Sequence, residues 1–513
     1  MPLIALQERL HGLGPAMAGI RRGIEKESLR VSPDGTLAAT PHPPALGSPL
    51  THPHITTDFS EAQLELITGV HGDVHACLEE LTRIHQVVCR SIGEELLWCA
   101  SMPGELPHDD AIPIARYGTS NVARAKTVYR IGLAHRYGRR MQTISGIHYN
   151  FSLEAAWPLP AALGGANDAY FALIRNFRRH SWLLVYLLGA SPAVCESFVA
   201  GREHALQPFG PGTLYAPYAT SLRMGPLGYQ SEAQAALDVS YNSLEVYAAS
   251  LEAALSTPYP PYEAIGVRDG DDYRQLSTHL LQIENEFYGT IRPKRGIRRG
   301  ERPLHALRER GVEYIEVRLV DLDPFSPIGI TAEAVRLLDI FLLHCLLSHS
   351  PLDTPDERAA IARNLHAVAI RGREPDLALE RGRETVTLAQ WAAELLDACV
   401  PIAAALDRGA GRPHADVLSA AVAAVGDARS TPSARMIEEM ERRHGRSHRR
   451  FALAHSLDHR SALTSMPLPP EEEQRLAGLA EQSLTKQREI EAADSVPFDD
   501  YRAHYVSPER LGV

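Results

Sequence analysis

The chain has 513 residues, 44% of them hydrophobic and 22% charged, with a formal net charge of −11. That length allows one large domain or two to four ordinary ones, and the composition is that of a globular protein. The acidic balance removes any electrostatic reason to bind nucleic acid or an anionic membrane, so a phosphate ligand would need local positive charge or recruited metal ions.

The spacing of Leu3, Leu6, Leu10 and Leu13 predicts a short amphipathic helix. Ile20–Val31 reads as a strand, and after a Pro-rich loop Ile55–Thr68 reads as a second strand ending at Gly69. Asp73 is a predicted N-cap for a long helix with Val74, Cys77, Leu81, Ile84, Val88 and Ile92 on one face. Thr143–Leu153 is strand-like, and Tyr170–Leu188 is helix-like, stopped by Gly189 and Pro192. Leu244–Leu255 reads as a helix; Leu280–Tyr288 and Val312–Asp321 read as strands. From about Thr331 onward the pattern is almost wholly helical. The order predicts an α+β fold, an antiparallel sheet backed by helices with a helical C-terminal third. The sheet and its motifs fall within 15–330 and the helical part within 331–513. With no clean linker between them, 1–513 reads as a single catalytic unit.

Met1–Gln7 carries neither a basic n-region nor an apolar h-region, so no targeting segment is expected. The longest apolar runs, Trp182–Gly189 and Phe341–Leu347, fall far short of a membrane span. The six cysteines are scattered with no CxxC or zinc-ligand spacing, which predicts reduced thiols and a cytoplasmic setting. Lysine occurs only four times, as Lys26, Lys126, Lys294 and Lys486. The P-loop, dinucleotide, zinc-protease and serine-hydrolase motifs are all absent.

The chemistry-bearing pattern is acidic. On a strand, Glu25 and Glu27 share a face and Lys26 takes the other. Two carboxylates one pleat apart repel unless a cation lies between them, and hard oxygen donors suit Mg²⁺ or Mn²⁺. For that pair alone a solvated strand face is the commoner origin. The same alternation puts Glu61, Gln63 and Glu65 on one face of the next strand, His148 and Asn150 on one face of another, and Glu316 with Arg318 on a fourth. Acidic residues are depleted in strands, so several such strands together predict one wet, acidic sheet face. Arg130, Arg223, Arg292, Lys294, Arg295 and Arg318 supply candidate partners for phosphates or carboxylates.

Eight ordered motifs carry a family resemblance: GIEKESLR (Gly23–Arg30), ITTDFSEAQLELITG (Ile55–Gly69), YGTSN (Tyr117–Asn121), QTISGIHYNFSL (Gln142–Leu153), GASPAV (Gly189–Val194), LQIENE (Leu281–Glu286), IRPKR (Ile291–Arg295) and YIEVRLVDLDPFSPIG (Tyr314–Gly329). The sequence resembles the proteobacterial-type glutamate–cysteine ligases over essentially its whole length. Glu154–Asn167 and Gly372–Gly409 depart from the family pattern in length or wording.

The resemblance implies a curved antiparallel sheet forming a glutamine-synthetase-like funnel. It also implies ATP-dependent phosphorylation of the L-glutamate γ-carboxylate, followed by attack of the L-cysteine amine. Carried over by position, Glu25, Glu27, Asp58, Glu65, His148 and Glu316 match metal-ligand positions for Mg²⁺, with Mn²⁺ as an alternative. Arg318 matches the residue that stabilises the transferring phosphoryl group, and Lys294 and Gln142 are candidates for contacts to ATP. Tyr129, Arg130, Leu133, Arg223 and Tyr229 resemble the cysteine pocket. A monomer open to glutathione feedback is implied in the same way. Three other readings stay open on sequence: a ligase for another amine acceptor, an inactive paralogue that binds metal or glutathione, and a metal-dependent hydrolase.

Overall fold

The computed structural model describes Leu10, Met17 and residues 19–154, 157, 164–228, 232–235, 237–298, 300–408 and 411–511. The predicted helix over Leu3–Leu13 lies outside these residues, apart from Leu10, and so does Tyr229.

The central sheet has seven strands. They are β1 (Ile20–Val31), β2 (Ile55–Thr57), β3 (Gln63–Ile67), β4 (Leu96–Leu97), β5 (Ile147–Leu153), β6 (Ile291–Lys294) and β7 (Tyr314–Val320). Their order is β6-β7-β5-β1-β3-β2, with β4 beside the end of β1, and every pairing is antiparallel. The strand pattern decides which side faces the core. Ile24, Leu64, Leu66, Tyr149, Phe151, Ile315 and Val317 point to one side and are fully buried. Against them pack four helices: α1 (Val74–Ser91), α3 (Ala166–His180), α4 (Trp182–Leu188) and α6 (Ala332–Leu347). Helix α2 (Asn121–Tyr137) precedes β5, and α5 (Leu244–Ser256) lies between β5 and β6. Asp73 caps α1 as predicted, its side chain accepting the Ala76 amide at 2.8 Å.

A buried polar cluster ties sheet to helix on the core side. Arg22 donates to Asp339 of α6 at 2.9 Å, and the Tyr149 hydroxyl donates to the same carboxylate at 2.5 Å. Lys26 also points to this side. It lines a small cavity with Cys89, Cys99 and His459, on the face opposite Glu25 and Glu27.

Three predicted elements differ. Ile55–Thr68 is interrupted: after Thr57 the chain leaves the ladder, Ser60 bridges to Ile114, and pairing resumes at Gln63. Leu280–Tyr288 is no strand but a loop with a 3₁₀ turn at Glu284–Glu286. Tyr170–Leu188 is two helices meeting at Ser181. The C-terminal part is helical except for the hairpin Ala378–Arg381/Glu384–Thr387. It includes α7 (Leu388–Leu406), α8 (Pro432–Arg443), α9 (His448–Ser465) and α10 (Pro470–Ala492).

Helix α7 is long and apolar enough to cross a membrane by length and composition, but half of that stretch is buried in the protein, as in a core helix. The six cysteines are buried and free. Helix α10 returns to the N-terminal half. Ser48 donates to Gln487, Thr51 donates to the Ser483 carbonyl at 2.6 Å, and Glu491 accepts the Thr119 amide at 2.8 Å. The Asn121 amide at the start of α2 donates to Asp494, and its side chain donates to the Val496 carbonyl at 2.9 Å.

Candidate active site

The register places the acidic side chains side by side. Glu25 of β1 pairs with His148 of β5, and Glu27 pairs with Glu65 of β3. On the other flank Glu316 of β7 pairs with Asn150 of β5 and Arg292 of β6. The ligand atoms of Glu25, Glu65 and His148 lie within 4.8 Å of one another. His148 Nδ1 sits 3.1 Å from Glu25 Oε2, and His148 Nε2 sits 3.4 Å from Glu27 Oε1. Asn150 donates to Glu25 Oε1 at 2.9 Å, while the Gly146 amide donates to Glu27 Oε2 at 2.9 Å. These contacts fix both carboxylates of the GIEKES strand.

The electrostatics divide this face in two. Burial pushes the Glu65 carboxyl well above its ordinary range, and Glu25, Asp58 and Glu27 push it the same way. Burial likewise raises Glu27. Glu25 is held below its usual value: burial is the largest single influence and opposes ionisation, but the His148 hydrogen bond, the His148 charge and the Lys294 charge together outweigh it. On the far flank burial also opposes ionisation of Glu316, yet Lys294 and Arg318 hold its carboxyl well below the usual range. Lys294 Nζ is 2.7 Å from Glu316 Oε2, and Arg318 donates to Glu316 Oε1 at 2.5 Å. Arg318 Nη1 also reaches to 3.5 Å from His148 Nδ1. The acidic cluster is thus bordered by two cations that share one carboxylate.

A divalent ion fits the donors present. Among the described residues the Glu65 carboxylate makes no hydrogen bond, and the buried Asn150 Oδ1 on the same face has no partner. Converging carboxylate oxygens with one imidazole are a hard donor set suited to Mg²⁺ or Mn²⁺.

The remaining candidates surround this face. Asp58, in the break after β2, lies close enough to Glu27 and Glu65 to raise both carboxyls. Its carbonyl accepts from Arg130 and from the Tyr117 hydroxyl, the latter at 3.0 Å. Arg130 stacks 4.6 Å over the Tyr117 ring. Tyr129 and Leu133, one helical turn apart on α2, accompany it; Leu133 is buried, and the Tyr129 carbonyl accepts from Gln282 at 3.3 Å. Gln142, in the turn before β5, donates to the Tyr288 hydroxyl at 2.8 Å. Arg223 is buried, donates to the Arg318 carbonyl at 2.7 Å and lies 3.8 Å from Asp321.

Glu61 does not join the acidic face. Its carboxylate accepts the amides of His42 and Arg116, because it sits in the break between β2 and β3. Asn150, which the sequence places on the face of His148 without a role, and Tyr117, not among the sequence candidates, hold site residues in place. Asn150 was signalled by its position two residues after His148, and Tyr117 by the YGTSN motif.

Comparison with known proteins agrees with this geometry. Residues 7–368 match the family model described as glutamate-cysteine ligase. The chain is 49% identical to the glutamate–cysteine ligase of Alcanivorax borkumensis, over 98% of this chain and 99% of that one. It is equally similar to the enzyme of Pseudomonas aeruginosa, over 98% and 97%. A crystal structure of glutamate–cysteine ligase from Francisella tularensis in complex with AMP superposes with a TM-score of 0.91 at 35% identity, covering 96% of this chain and 99% of that one. A bifunctional glutathione synthetase from Pasteurella multocida matches at a TM-score of 0.69 and 28% identity, over 89% of this chain and 55% of that one. Sequence, fold and the acidic sheet face lead to one assignment: the chain belongs to the glutamate–cysteine ligase family.

Proposed function

We propose that the Glu25–Glu65–His148 face is where the chain joins the γ-carboxylate of L-glutamate to the amine of L-cysteine at the expense of ATP, the first step of glutathione synthesis. The observation that carries this reading is the convergence of Glu25, Glu65 and His148 beside a Lys294–Glu316–Arg318 ion-pair set. Glu25, Glu27, Asp58, Glu65, His148 and Glu316 would hold Mg²⁺, or Mn²⁺ in its place. Bound there, the ion supplies the positive charge that a triphosphate needs on an acidic surface.

Arg318 is placed to neutralise the phosphoryl group as it passes from ATP to the glutamate carboxylate, because its guanidinium is fixed by Glu316 and lies beside His148. Lys294 and Gln142 border the ATP side. Tyr129, Arg130, Leu133 and Arg223 would line the pocket for the acceptor amino acid, to which the family resemblance adds Tyr229. Arg130 brings a charged group within reach of a carboxylate there, and its link to the Asp58 carbonyl ties that pocket to the metal face. The whole length acts as one catalytic unit, since α10 and the residues after it pin the start of α2. On the same reading the enzyme is a cytoplasmic monomer open to feedback by glutathione.

The test is mass-spectrometric detection of γ-glutamylcysteine from purified protein, ATP, Mg²⁺, glutamate and cysteine, with and without excess EDTA. Product with metal and none with EDTA is expected. Glu25→Gln should lose most of kcat, as one ligand oxygen and one charge go together. Phosphate release without the amide product would instead support a hydrolase, and full activity in EDTA would remove the metal from the scheme.

A further inference from the structure

Outside the sheet face, metal-ligating side chains also meet at the junction of α8 and α9. Glu439 lies near the end of α8, and His444 caps that helix. The chain then reverses through Gly445 and Arg446, both at left-handed φ of about 60°. Ser447 caps α9, and His455 follows two turns into it. This tight reversal brings both imidazoles onto one carboxylate oxygen. His455 Nε2 is 3.1 Å and His444 Nε2 is 3.4 Å from Glu439 Oε1.

Two neutral imidazoles can make such contacts by each donating an N–H hydrogen bond to the oxygen. The spacing also suits another occupant. With metal–ligand bonds of about 2.0–2.1 Å, the ligand atoms of a tetrahedral site lie roughly 3.3–3.4 Å apart. The three ligand atoms here fall within 4.8 Å of one another, on side chains that are about one-fifth exposed. The outward side is therefore open to a water as fourth ligand. The inner side is apolar: the Phe451 and Phe325 rings lie 4.6 and 5.4 Å from the His455 ring. Two imidazoles and one carboxylate are a softer donor set than the mostly carboxylate sheet face, and they favour a transition ion over Mg²⁺.

We propose that Glu439, His444 and His455 form a second metal site, separate from the acidic sheet face, that takes a divalent transition ion of the zinc class. These residues lie beyond the 7–368 region that matches the family model. The role is structural. The ion ties α8 to α9 across their turn and backs the loop of Phe325. That loop begins with Asp321, the partner of Arg223, and it is also held by His459, which lies 2.8 Å from the Pro324 carbonyl.

The test is Zn²⁺ titration calorimetry on the metal-stripped, full-length protein, with Mg²⁺ in large excess to occupy the sheet face. The wild type and Glu25→Gln should bind one equivalent of Zn²⁺ and melt at a higher temperature with it. His455→Gln and Glu439→Gln should bind it at least about tenfold more weakly and gain no melting temperature. Both variants keep the size of the side chain, and their metal-free melting temperatures verify folding. No Zn²⁺ bound by the wild type, or the same affinity in all four proteins, would overturn the proposal. So would loss of Zn²⁺ binding in Glu25→Gln with His455→Gln unaffected, which would place the ion on the sheet.

Discussion

The Lys294 ammonium lies 2.7 Å from Glu316 Oε2 while Arg318 occupies the other oxygen of the same carboxylate at 2.5 Å. The two cations are different in kind: a compact point charge and a planar fork. In a chain with only four lysines, one stands at this site. Lys294→Arg, although it conserves charge, should lower kcat/KM at least about tenfold, roughly 1.4 kcal/mol of transition-state stabilisation. Lys486→Arg, on the exposed side of α10, should be neutral. Steady-state kinetics on both variants, each with an unchanged melting temperature, check this; wild-type kinetics in Lys294→Arg would take Lys294 out of the site.

Arg223→Ala should raise KM for cysteine far more than KM for ATP, if its guanidinium serves the acceptor carboxylate. Its hydrogen bond to the Arg318 carbonyl offers a distinguishable outcome. Varying each substrate in turn separates them: a drop in kcat with both KM values unchanged would make Arg223 a positioning residue for Arg318.

Behind the sheet, Asp339 is the counter-charge of buried Arg22 and the acceptor for Tyr149. Asp339→Ala leaves a guanidinium buried without its partner, and should cost about 3–5 kcal/mol of stability. Urea unfolding measures it; a loss under about 1 kcal/mol would show that water and the Gly72 carbonyl, which already accepts from Arg22, suffice for the guanidinium.

His344 and His180 face each other with ring centroids 6.2 Å apart. Burial brings their imidazoles down to about 4 and about 3. The unfolded chain takes up these protons near pH 6.5, whereas the folded one refuses them until pH 4 or below. Their contribution is therefore complete above pH 6.5 and is lost as the pH falls towards 4. At pH 5 His344 should account for on the order of 2 kcal/mol of lost stability. In His344→Gln the difference in unfolding free energy between pH 7 and pH 5 should shrink by that amount; an unchanged difference would clear His344 of the effect.

Period-two alternation carried the central result, because a strand buried on one side has no other way to sort its residues. Ile20–Val31 and the shared face of Glu25 and Glu27 were legible for that reason. The pattern misled where it ran on without hydrogen-bond partners. Glu61 continues the alternation of Gln63 and Glu65, yet its backbone bonds to Pro113, a partner 52 residues away that local sequence does not announce. Leu281 and Ile283 suggested a strand, but the next carboxylates are claimed from a distance. Glu284 takes Arg302, and Glu286 takes Arg136 and Tyr137. Lys26 sits in the same motif as the acidic pair, and only the pleat sends it to the opposite side.

The clasp between Asp494 and the first turn of α2 sets an order of events during synthesis. Every strand of the sheet emerges from the ribosome before residue 321, so the acidic face can assemble while the chain is still growing. The helix bearing Tyr129 and Arg130 gains its last anchor only when nearly the whole message has been read. A message cut short just before Asp494 would therefore yield a protein with the strands of the acidic face complete and the helix of Tyr129 and Arg130 short of that last clasp.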